Sequence, residues 1–446
     1  MEKILTIIVD YLWGPFLVTI LVGVGVYLLT LSRLRTILKL KRGFRLIFRC
    51  DHQDEKTLGQ LSCFKALCNA LASTIGLGNI AGVAVAISQG GPGAIFWMWI
   101  AAILGMNTKF FECTLAIMFR GRDYKNEVQG GPMYYISALP KRLHFLAVVF
   151  AICGLFGTLS LFNINQLSSF TSEYYGLSPW LVGGFTALLL AYILNGGLSR
   201  LARFTSTLVP FACILYTITC IVILFLNLDK IPGIFLSIFD QAFNGTALWG
   251  GATGLTMAQV IQIGFKRASF SNEAGVGTAP MAHGNAKISE PIAEGLVAMT
   301  GPFLDTIIIC TLTALTILTT LSPDEIDRSS GILITMSAFS KALPGVGSFF
   351  LGLSVILFSF TTILGSANYN QKCWNFLFKG RRFFTRKSFI IFYCGAILVG
   401  AIVSLDVVVN FLDIFFALMT IPNLIATVYL APKVVVAMND YFKKFN

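Results

Sequence analysis

The sequence predicts an all-α integral membrane protein with about eleven transmembrane helices, and three observations support this fold class. Of the 446 residues, 56% are hydrophobic and only 12% are charged, with a mean hydropathy of +0.77. Soluble domains carry about 25% charged residues, so this chain has too few to cover a surface in water. In addition, its apolar residues form long stretches, and its positive charges fall between alternate stretches.

The apolar stretches are long enough for membrane helices, each of which needs about 20 largely apolar residues. They lie at 11–31, 62–88, 93–119, 143–166, 179–198, 204–227, 234–265, 291–320, 345–371, 388–405 and 410–431. The first stretch lacks the basic start and small-residue cleavage site of a signal peptide, so we expect it to remain as a membrane helix. The chain, 1–446, is expected to form a single membrane domain.

The positive charges predict the orientation. Most of the 33 Lys and Arg residues lie in connections on one side, at 33–57, 120–142, 200–203, 266–287, 372–387 and the C-terminal tail. The positive-inside rule then places the N-terminus outside and the C-terminus in the cytoplasm, in the cell (inner) membrane. A net charge of +12 can also indicate nucleic-acid binding, but that needs basic residues and aromatics clustered on one folded surface. We expect the lipid bilayer, and no nucleic acid, as a partner.

The cysteines and histidines do not form the pattern of a metal site or a catalytic centre. Most of the ten cysteines lie within apolar stretches, and no two have CxxC spacing. The three histidines, His52, His144 and His283, are scattered along the chain. The sequence therefore predicts a protein that is not an enzyme.

A helix break is expected at ASTIGLGN, residues 72–79. Gly76 and Gly78 each weaken a helix by about 1 kcal/mol relative to Ala, and unwound backbone survives in a membrane only where protein or water lines it. Amides freed near Leu77 would face an anion, and carbonyls freed before Gly76 suit a small cation such as Na⁺. The alternative is that the glycines allow close helix packing and the hydroxyls bond their own helix.

A second break is expected at LWGGATGLT, residues 248–256, where Gly250, Gly251 and Gly254 interrupt another apolar stretch. It falls five spans after the first. Since five is odd, the two halves would have opposite orientations, as in transporters built from an inverted repeat. The predicted repeats are 62–227 and 234–431, with 11–31 as an extra N-terminal helix.

Two adjacent hydroxyls are candidates for completing a cation site. If the helix that carries Thr361 and Thr362 packs beside the first break, these hydroxyls could join the carbonyls of Ala72 and Ile75 around one Na⁺, which prefers oxygen ligands. The alternative is that both threonines bond the backbone of their own helix.

Five strings resemble the alanine or glycine:cation symporter family over nearly the whole chain. They are NIAGVAVAISQGGPGAIFWMWIAAILGM at 79–106, QGGPMYYI at 129–136, FSNEAGVGTAP at 270–280, LDTIIICTLTAL at 304–315 and TTILG at 361–365. The resemblance implies Na⁺- or H⁺-coupled uptake of small amino acids, chiefly alanine and glycine. It also implies a leucine-transporter-like fold, a 5+5 inverted repeat with two discontinuous helices.

The resemblance also implies the site. GLGN is similar to the first broken helix of the neurotransmitter:sodium symporters, which implies Na⁺ at Ala72, Ile75, Thr361 and Thr362. The same comparison implies that the amides of Leu77 and Gly78 hold the substrate carboxylate. The full set of expected substrate-binding residues is Leu77, Gly78, Asn79, Asn163, Phe243, Trp249, Gly250, Gly251, Thr253, Thr362 and Ser366.

Three positions depart from the family pattern. Leu77 replaces a small hydroxyl residue between the glycines, Asn163 replaces the glutamine of Gln-x-Asn, and Ser366 replaces a tryptophan after TTILG. The loss of the tryptophan could enlarge the pocket unless a neighbour such as Phe243 or Trp249 fills the space. Alanine is therefore the substrate that the family implies, and the departures leave the identity of the substrate open.

Other interpretations stay open at this point. Asp305 and Glu112 lie within apolar spans, where a carboxylate marks function, and Asp305 could carry protons or serve structure. QGGPMYYI and SNEAGVGTAP are expected on cytoplasmic connections, as gates, packing elements or tight loops. The expected function is a Na⁺-coupled symporter acting as a monomer by alternating access. The alternatives are an H⁺-coupled transporter of another small amino acid or related zwitterion, or a channel.

Overall fold

The computed structural model describes residues 2–48, 58–123, 126–244, 256–327, 331–378, 381 and 383–445. Its first helices are α1 (Glu2–Leu12), α2 (Pro15–Leu31), α3 (Arg35–Leu38), α4 (Leu40–Phe48), α5 (Cys63–Thr74), α6 (Ala81–Gly90) and α7 (Gly93–Met118). A short hairpin follows, formed by β1 (Gly121–Arg122) and β2 (Val128–Gln129). The strands are antiparallel, with Gly121 opposite Gln129.

The middle of the chain is helical. It contains α8 (Pro132–Tyr135), 3₁₀ turns at Ile136–Ala138 and Lys141–Leu143, α9 (Phe145–Gly157), α10 (Leu161–Tyr175), α11 (Pro179–Asn195), α12 (Gly197–Phe225), α13 (Ile231–Asn244), α14 (Met257–Asn272) and α15 (Ala279–His283).

The last part of the chain is helical too. It contains α16 (Pro291–Ala298), α17 (Thr300–Pro302), a π-helical segment (Phe303–Cys310), α18 (Thr311–Thr320), α19 (Pro323–Asp327), α20 (Ile332–Ala342), α21 (Gly347–Phe378), α22 (Arg386–Ile402) and α23 (Leu405–Lys444).

Several of these helices match a bilayer in length and composition. Among the described residues, six helical stretches are long and apolar enough to cross a membrane: Gly93–Met118, Lys141–Tyr175, Gly197–Phe225, Pro291–Thr320, Gly347–Phe378 and Leu405–Lys444. Shorter apolar helices accompany them, including α2, α6, α11 and α20. The described helices therefore agree with the membrane protein that the composition predicts.

The outward faces of α11 and α12 are apolar. Phe185 and Leu188 on α11 are 66% and 73% exposed, and Ile214 on α12 is 60% exposed. Large apolar side chains in a contiguous exposed band are costly in water. Hydrocarbon chains solvate them without cost, so these faces are suited to contact lipid.

Helix α7 lies at the centre of the packing, in contact with α2, α13, α14 and α16. Small residues allow the close approach. A Cβ atom on Gly264 of α14 would lie 2.7 Å from the carbonyl oxygen of Ala94, and one on Gly295 of α16 would lie 2.8 Å from that of Phe110. Small residues let helix backbones approach closely where lipid supplies no hydrophobic drive for helix association.

The side of the molecule that carries the basic connections is held by Arg120, just after α7. Its guanidinium donates to the carbonyls of Gly284 at 2.9 Å, Leu58 at 3.0 Å and Ile288 at 3.3 Å. Burial lowers the pKa of Arg120 to about 10, opposed by the nearby Glu294 carboxylate. Arg120 therefore stays charged at neutral pH and ties the segment before α5 to the segment after α15.

The stretch expected at 234–265, with its break at 248–256, falls on parts of two helices, and the expected break lies almost wholly outside the described residues. Helix α13 ends at Asn244 and α14 begins at Met257, while 245–255 lie outside the described residues. Helix α14 continues to Asn272, beyond the expected end of the span, so the basic segment expected at 266–287 is not a connection throughout. Lys266 and Arg267 lie within α14 and pair with Asp413 of α23, at 2.7 Å and 3.4 Å. Counting these two cations with a loop was wrong, because a buried carboxylate neutralises them within the helix packing.

This triad yields a stability prediction. Replacing Asp413 with Ala leaves two cations against α23 without their carboxylate, and breaking a buried pair in this way costs about 3–5 kcal/mol. We expect a clear fall in the midpoint of thermal unfolding in detergent. The control is Glu325→Ala, which removes a carboxylate from an exposed pair with Lys341. Hydrogen bonds from Lys341 lower the pKa of Glu325 to about 2, yet exposed pairs add little stability. Equal midpoints for the two variants would contradict the role of the triad.

Candidate functional site

The first expected break is present between α5 and α6. Helix α5 ends at Thr74 and α6 begins at Ala81. The amides that would continue α5 bond side chains instead: that of Gly76 donates to Asn79 Oδ1 at 3.1 Å, and that of Leu77 donates to Asn163 Oδ1 at 3.4 Å. In a continuous helix these two amides would bond the carbonyls of Ala72 and Ser73. The break therefore frees the backbone oxygens of the last turn of α5.

A second break lies at 273–278, between α14 and α15. Glu273, Gly275 and Gly277 have φ angles of 54°, 87° and 89°, in the left-handed region that ends a right-handed helix. We expected this string, SNEAGVGTAP, on a cytoplasmic connection, and that expectation was wrong. Ser271, Asn272, Glu273 and Thr278 are all buried.

The two breaks face each other across a short distance. Ser73 Oγ of α5 donates to Glu273 Oε1 at 3.2 Å, and Thr278 Oγ1 donates to Glu273 Oε2 at 2.5 Å. A Cβ atom on Gly78 would lie 3.6 Å from the ring of Phe270. The C-terminal end of α5 and the C-terminal end of α14 therefore meet, with an acidic side chain between them.

A third interruption, which was not expected, separates α9 from α10. Ser160 has a φ angle of 53°, so the stretch predicted at 143–166 changes direction at this residue. The interruption brings Thr158, Ser160 and Phe162 to the same region as the two breaks. The sequence signal is GTLS before Leu161, a run of small and hydroxyl residues inside an apolar stretch.

The three interruptions border a small cavity of about 30 Å³. Its polar wall is formed by Ser73, Thr74, Gly76, Gly78, Thr158, Ser160, Asn163, Glu273, Thr362 and Ser366. Its apolar wall includes Phe162, Phe270, Leu412 and Phe416. We call this space the central pocket.

Four of the predicted substrate-binding residues line the central pocket: Gly78, Asn163, Thr362 and Ser366. Leu77 and Asn79 lie in the same break but are not on the wall of the cavity. The Asn79 side chain is fully buried and bonds Gly76 and Asp305. Phe243 is not brought to the pocket. It is half exposed on α13 and packs its ring against Phe96 and Trp97, at 5.0 Å and 5.9 Å.

The remaining predicted residues, Trp249, Gly250, Gly251 and Thr253, lie outside the described residues. An aromatic wall is nevertheless present beside Ser366. The ring of Phe270 packs against Phe162 at 5.2 Å and against Phe416 at 5.7 Å. These rings, and not Phe243, border the pocket that Ser366 lines.

Among the predicted cation ligands, Ala72 lies against α21, the helix that carries Thr361 and Thr362. A Cβ atom on Gly365 of α21 would lie 3.0 Å from the carbonyl carbon of Ala72, so α21 packs directly on the end of α5. Thr362 Oγ1 has no hydrogen-bond partner within the described part of the chain, and a Cβ atom on Gly76 would collide with it. Thr361 Oγ1 donates to Phe358 of its own helix at 3.1 Å. Ile75 is the C-cap of α5.

Asp305 lies behind the first break, on the π-helical segment. Its carboxylate accepts hydrogen bonds from Asn79 Nδ2 and from Ser271 Oγ, the latter at 3.1 Å and 3.2 Å. Since Asn79 Oδ1 in turn holds the amide of Gly76, Asp305 connects the first break to the end of α14. This arrangement suits a residue that positions the two broken helices.

Sequence reasoning missed Glu273, Phe270 and Ser73 as pocket residues. FSNEAGVGTAP did contain the signal, because a carboxylate and two glycines followed a helical run. The string was assigned to a connection because Lys266 and Arg267 were counted as loop charges.

The pocket geometry predicts a specific cost at Gly76. In Gly76→Ala the new methyl group overlaps Thr362 Oγ1, and overpacking of this kind costs about 1–3 kcal/mol. The matched control is Gly82→Ala, at a helical glycine whose added Cβ would contact nothing within 4 Å. Gly82→Ala should be neutral or stabilising by up to about 1 kcal/mol. The measurement is the midpoint of thermal unfolding of both variants in the same detergent. Equal changes in the two midpoints would contradict the contact between Gly76 and Thr362.

Comparisons with known proteins agree with this architecture. The uncharacterized transporter of Haemophilus influenzae is 39% identical over 448 residues, which cover 99% of this chain and 96% of that protein. The sodium/alanine symporter AgcS of Methanococcus maripaludis is 38% identical, over 96% of this chain and 94% of that protein.

A solved structure shares the fold. The manganese transporter of Eremococcus coleocola, crystallised with an aromatic bis-isothiourea substituted compound, has a TM-score of 0.54 and 12% identity, over 81% of this chain and 75% of that chain. At this identity the likeness concerns the fold alone. The model of the sodium:alanine symporter family matches residues 1–446. This chain, a multi-pass membrane protein, belongs to the sodium:alanine symporter family.

Proposed function

We propose that the chain couples Na⁺ entry to the uptake of a small neutral amino acid, with L- or D-alanine or glycine as the expected substrates, by alternating access. The observation that carries the proposal is the meeting of two interrupted helices, α5–α6 and α14–α15, at the central pocket. Beside it lies the hydroxyl of Thr362, which has no hydrogen-bond partner among the described residues. Family membership supports amino-acid transport driven by sodium.

The proposed topology has eleven crossings. They are α2, α5–α6, α7, α9–α10, α11, α12, α14–α15, α16–α18, α21, α22 and α23. Setting α2 aside as the extra N-terminal helix leaves two sets of five, each opening with a discontinuous helix. In this proposal the second set begins with α14. The basic connections face the cytoplasm, and the monomer is the transporting unit.

We propose that Na⁺ binds where α21 packs on the end of α5. The carbonyls of Ala72 and Ile75 and the hydroxyls of Thr361 and Thr362 supply only oxygen ligands, as a hard cation requires. Glu273 lies across the same cavity. Its carboxylate favours a cation, because a buried charge needs a partner of opposite sign.

The substrate carboxylate is proposed to bind the amides of Leu77 and Gly78. The amide of Leu77 makes only a long bond to Asn163, at 3.4 Å, which a carboxylate can replace with a shorter, charge-assisted one. Glu273 and Asn163 are then available to the ammonium group, and Phe270 and Phe416 contact a small side chain.

Uptake of labelled alanine into proteoliposomes tests the cation site. Thr362→Ala removes one ligand, and we expect the half-saturating Na⁺ concentration to rise about tenfold, the effect of about 1.4 kcal/mol. The matched control is Thr319→Ala, a buried threonine whose hydroxyl bonds the carbonyl of Leu315 in its own helix. An unchanged Na⁺ dependence in Thr362→Ala would argue against this site. Uptake that depends on neither an imposed Na⁺ gradient nor an imposed H⁺ gradient would indicate a channel.

Proton coupling is tested at Asp305. Because Asp305 holds Asn79 and Ser271, Asp305→Asn should slow transport while the stimulation by Na⁺ and the shape of the pH profile stay as in the unsubstituted protein. Uptake is measured under an imposed Na⁺ gradient and then under a proton gradient. If Asp305→Asn instead makes uptake independent of pH, Asp305 carries the coupled proton and the sodium proposal fails.

A further inference from the structure

A second cavity, of about 500 Å³, lies on the side of the basic connections. Its volume falls within the range of small-molecule sites. Six segments line it: the segment before α5, the hairpin β1–β2, the turn between α11 and α12, the loop after α15, the end of α21 and the start of α22. We call it the basic-side vestibule and define it by Asp123, Glu127, Gln129, Asn285, Asn368 and Lys372.

Lys372 provides the strongest reason to expect a ligand there. Its side chain is 6% exposed, and its Nζ has no hydrogen-bond partner within the described part of the chain. Asn368, one helical turn earlier on α21, is also buried, and its Nδ2 is likewise unpartnered among the described residues. Residues four apart lie on the same face of a helix. Together they present an ammonium group and an amide donor, which suit a carboxylate.

The opposite wall of the vestibule offers acceptors. Asp123 and Glu127 both line it, and Asp123 is held in place by hydrogen bonds from the amide of Glu127 at 3.0 Å and from Gln129 Nε2 at 3.2 Å. The side-chain oxygens of Gln129 and Asn285 have no partner within the described ranges. Carboxylates and amide oxygens suit an ammonium group.

We propose that the basic-side vestibule binds a zwitterionic α-amino acid, with its carboxylate on Lys372 and Asn368 and its ammonium group on the acidic hairpin. The proposal rests on the proposed transport function. It deepens that function by giving the substrate a second binding site between the central pocket and the side of the basic connections.

The two sites share structural elements. Ser366 lines the central pocket and Lys372 lines the vestibule. At 1.5 Å per residue their backbones are about 9 Å apart along α21. The half-helices α5 and α15 run between the two cavities, and the amide of Gln60, before α5, donates to the carbonyl of Asn285, after α15, at 2.9 Å. A substrate leaving the central pocket on this side therefore meets the vestibule next.

Side-specific transport kinetics test the vestibule. In proteoliposomes of known orientation, Lys372→Met should raise the half-saturating alanine concentration at least tenfold on the side of the basic connections. The value on the opposite side should stay unchanged. Lys372→Arg should restore the half-saturating concentration of the unsubstituted protein on the side of the basic connections. The control is Lys341→Met, at an exposed lysine that does not line the vestibule. Equal changes on both sides, or no change on either, would overturn the proposal.

A second variant tests whether the effect of Lys372→Met reflects misfolding. A binding measurement distinguishes failure of the vestibule proposal from failure of the proposed transport function. Asn368→Asp places a carboxylate beside Lys372, which should satisfy the lysine and exclude the substrate carboxylate, so the same one-sided change is expected. In purified protein without Na⁺, where the central pocket lacks its coupled ion, residual binding of labelled alanine should disappear in Lys372→Met and persist in Thr362→Ala. If that binding is absent, or persists in Lys372→Met, the vestibule proposal fails. If the unsubstituted protein shows no Na⁺-driven uptake, the proposed function fails independently.

Discussion

Backbone hydrogen bonding inside a membrane is the constraint on which the rest of this structure depends. Lipid offers no partner to a free amide or carbonyl, so a helix can open only where other protein groups surround the opening. Here the interruptions after α5, α9 and α14 all border the central pocket. Side chains take over part of the bonding, as Asn79 and Asn163 do for the amides of Gly76 and Leu77. The pocket is thus lined by backbone groups that a continuous helix would have used.

Buried charges hold these openings in position. Asp305 joins the first break to α14 through Asn79 and Ser271. A second network joins α7, α23 and the second break, because Asn423 donates to Glu112 and, at 2.8 Å, to the carbonyl of Gly275. The carboxylates of Asp305 and Glu112 therefore relate the two discontinuous helices to each other and to the surrounding bundle.

Two of the three departures from the family pattern, Asn163 and Ser366, line the central pocket. Asn163 still reaches the break, since it accepts from the amide of Leu77. Ser366 lines the wall, and the rings of Phe162, Phe270 and Phe416, which pack edge to face, border the same pocket. Glu273 adds a carboxyl group that the sequence pattern had placed outside the site. The wall of the pocket therefore combines these aromatic and acidic residues with the broken helix.

The sequence by itself determined the membrane class, the first break and the candidate ligands Gly78, Asn163, Thr362 and Ser366. These follow from local features: the length of apolar stretches, the effect of two glycines on a helix, and strings shared with a family. Only the tertiary structure decided that a further break lies at 273–278, that Phe243 does not line the pocket and that Glu273 faces Ser73. The physical reason is that Lys266 and Arg267 resemble loop charges until Asp413, far away in the sequence, is seen to neutralise them. Which polar residues lie within the membrane is set by partners brought together in the fold, and a linear pattern contains no information about those partners.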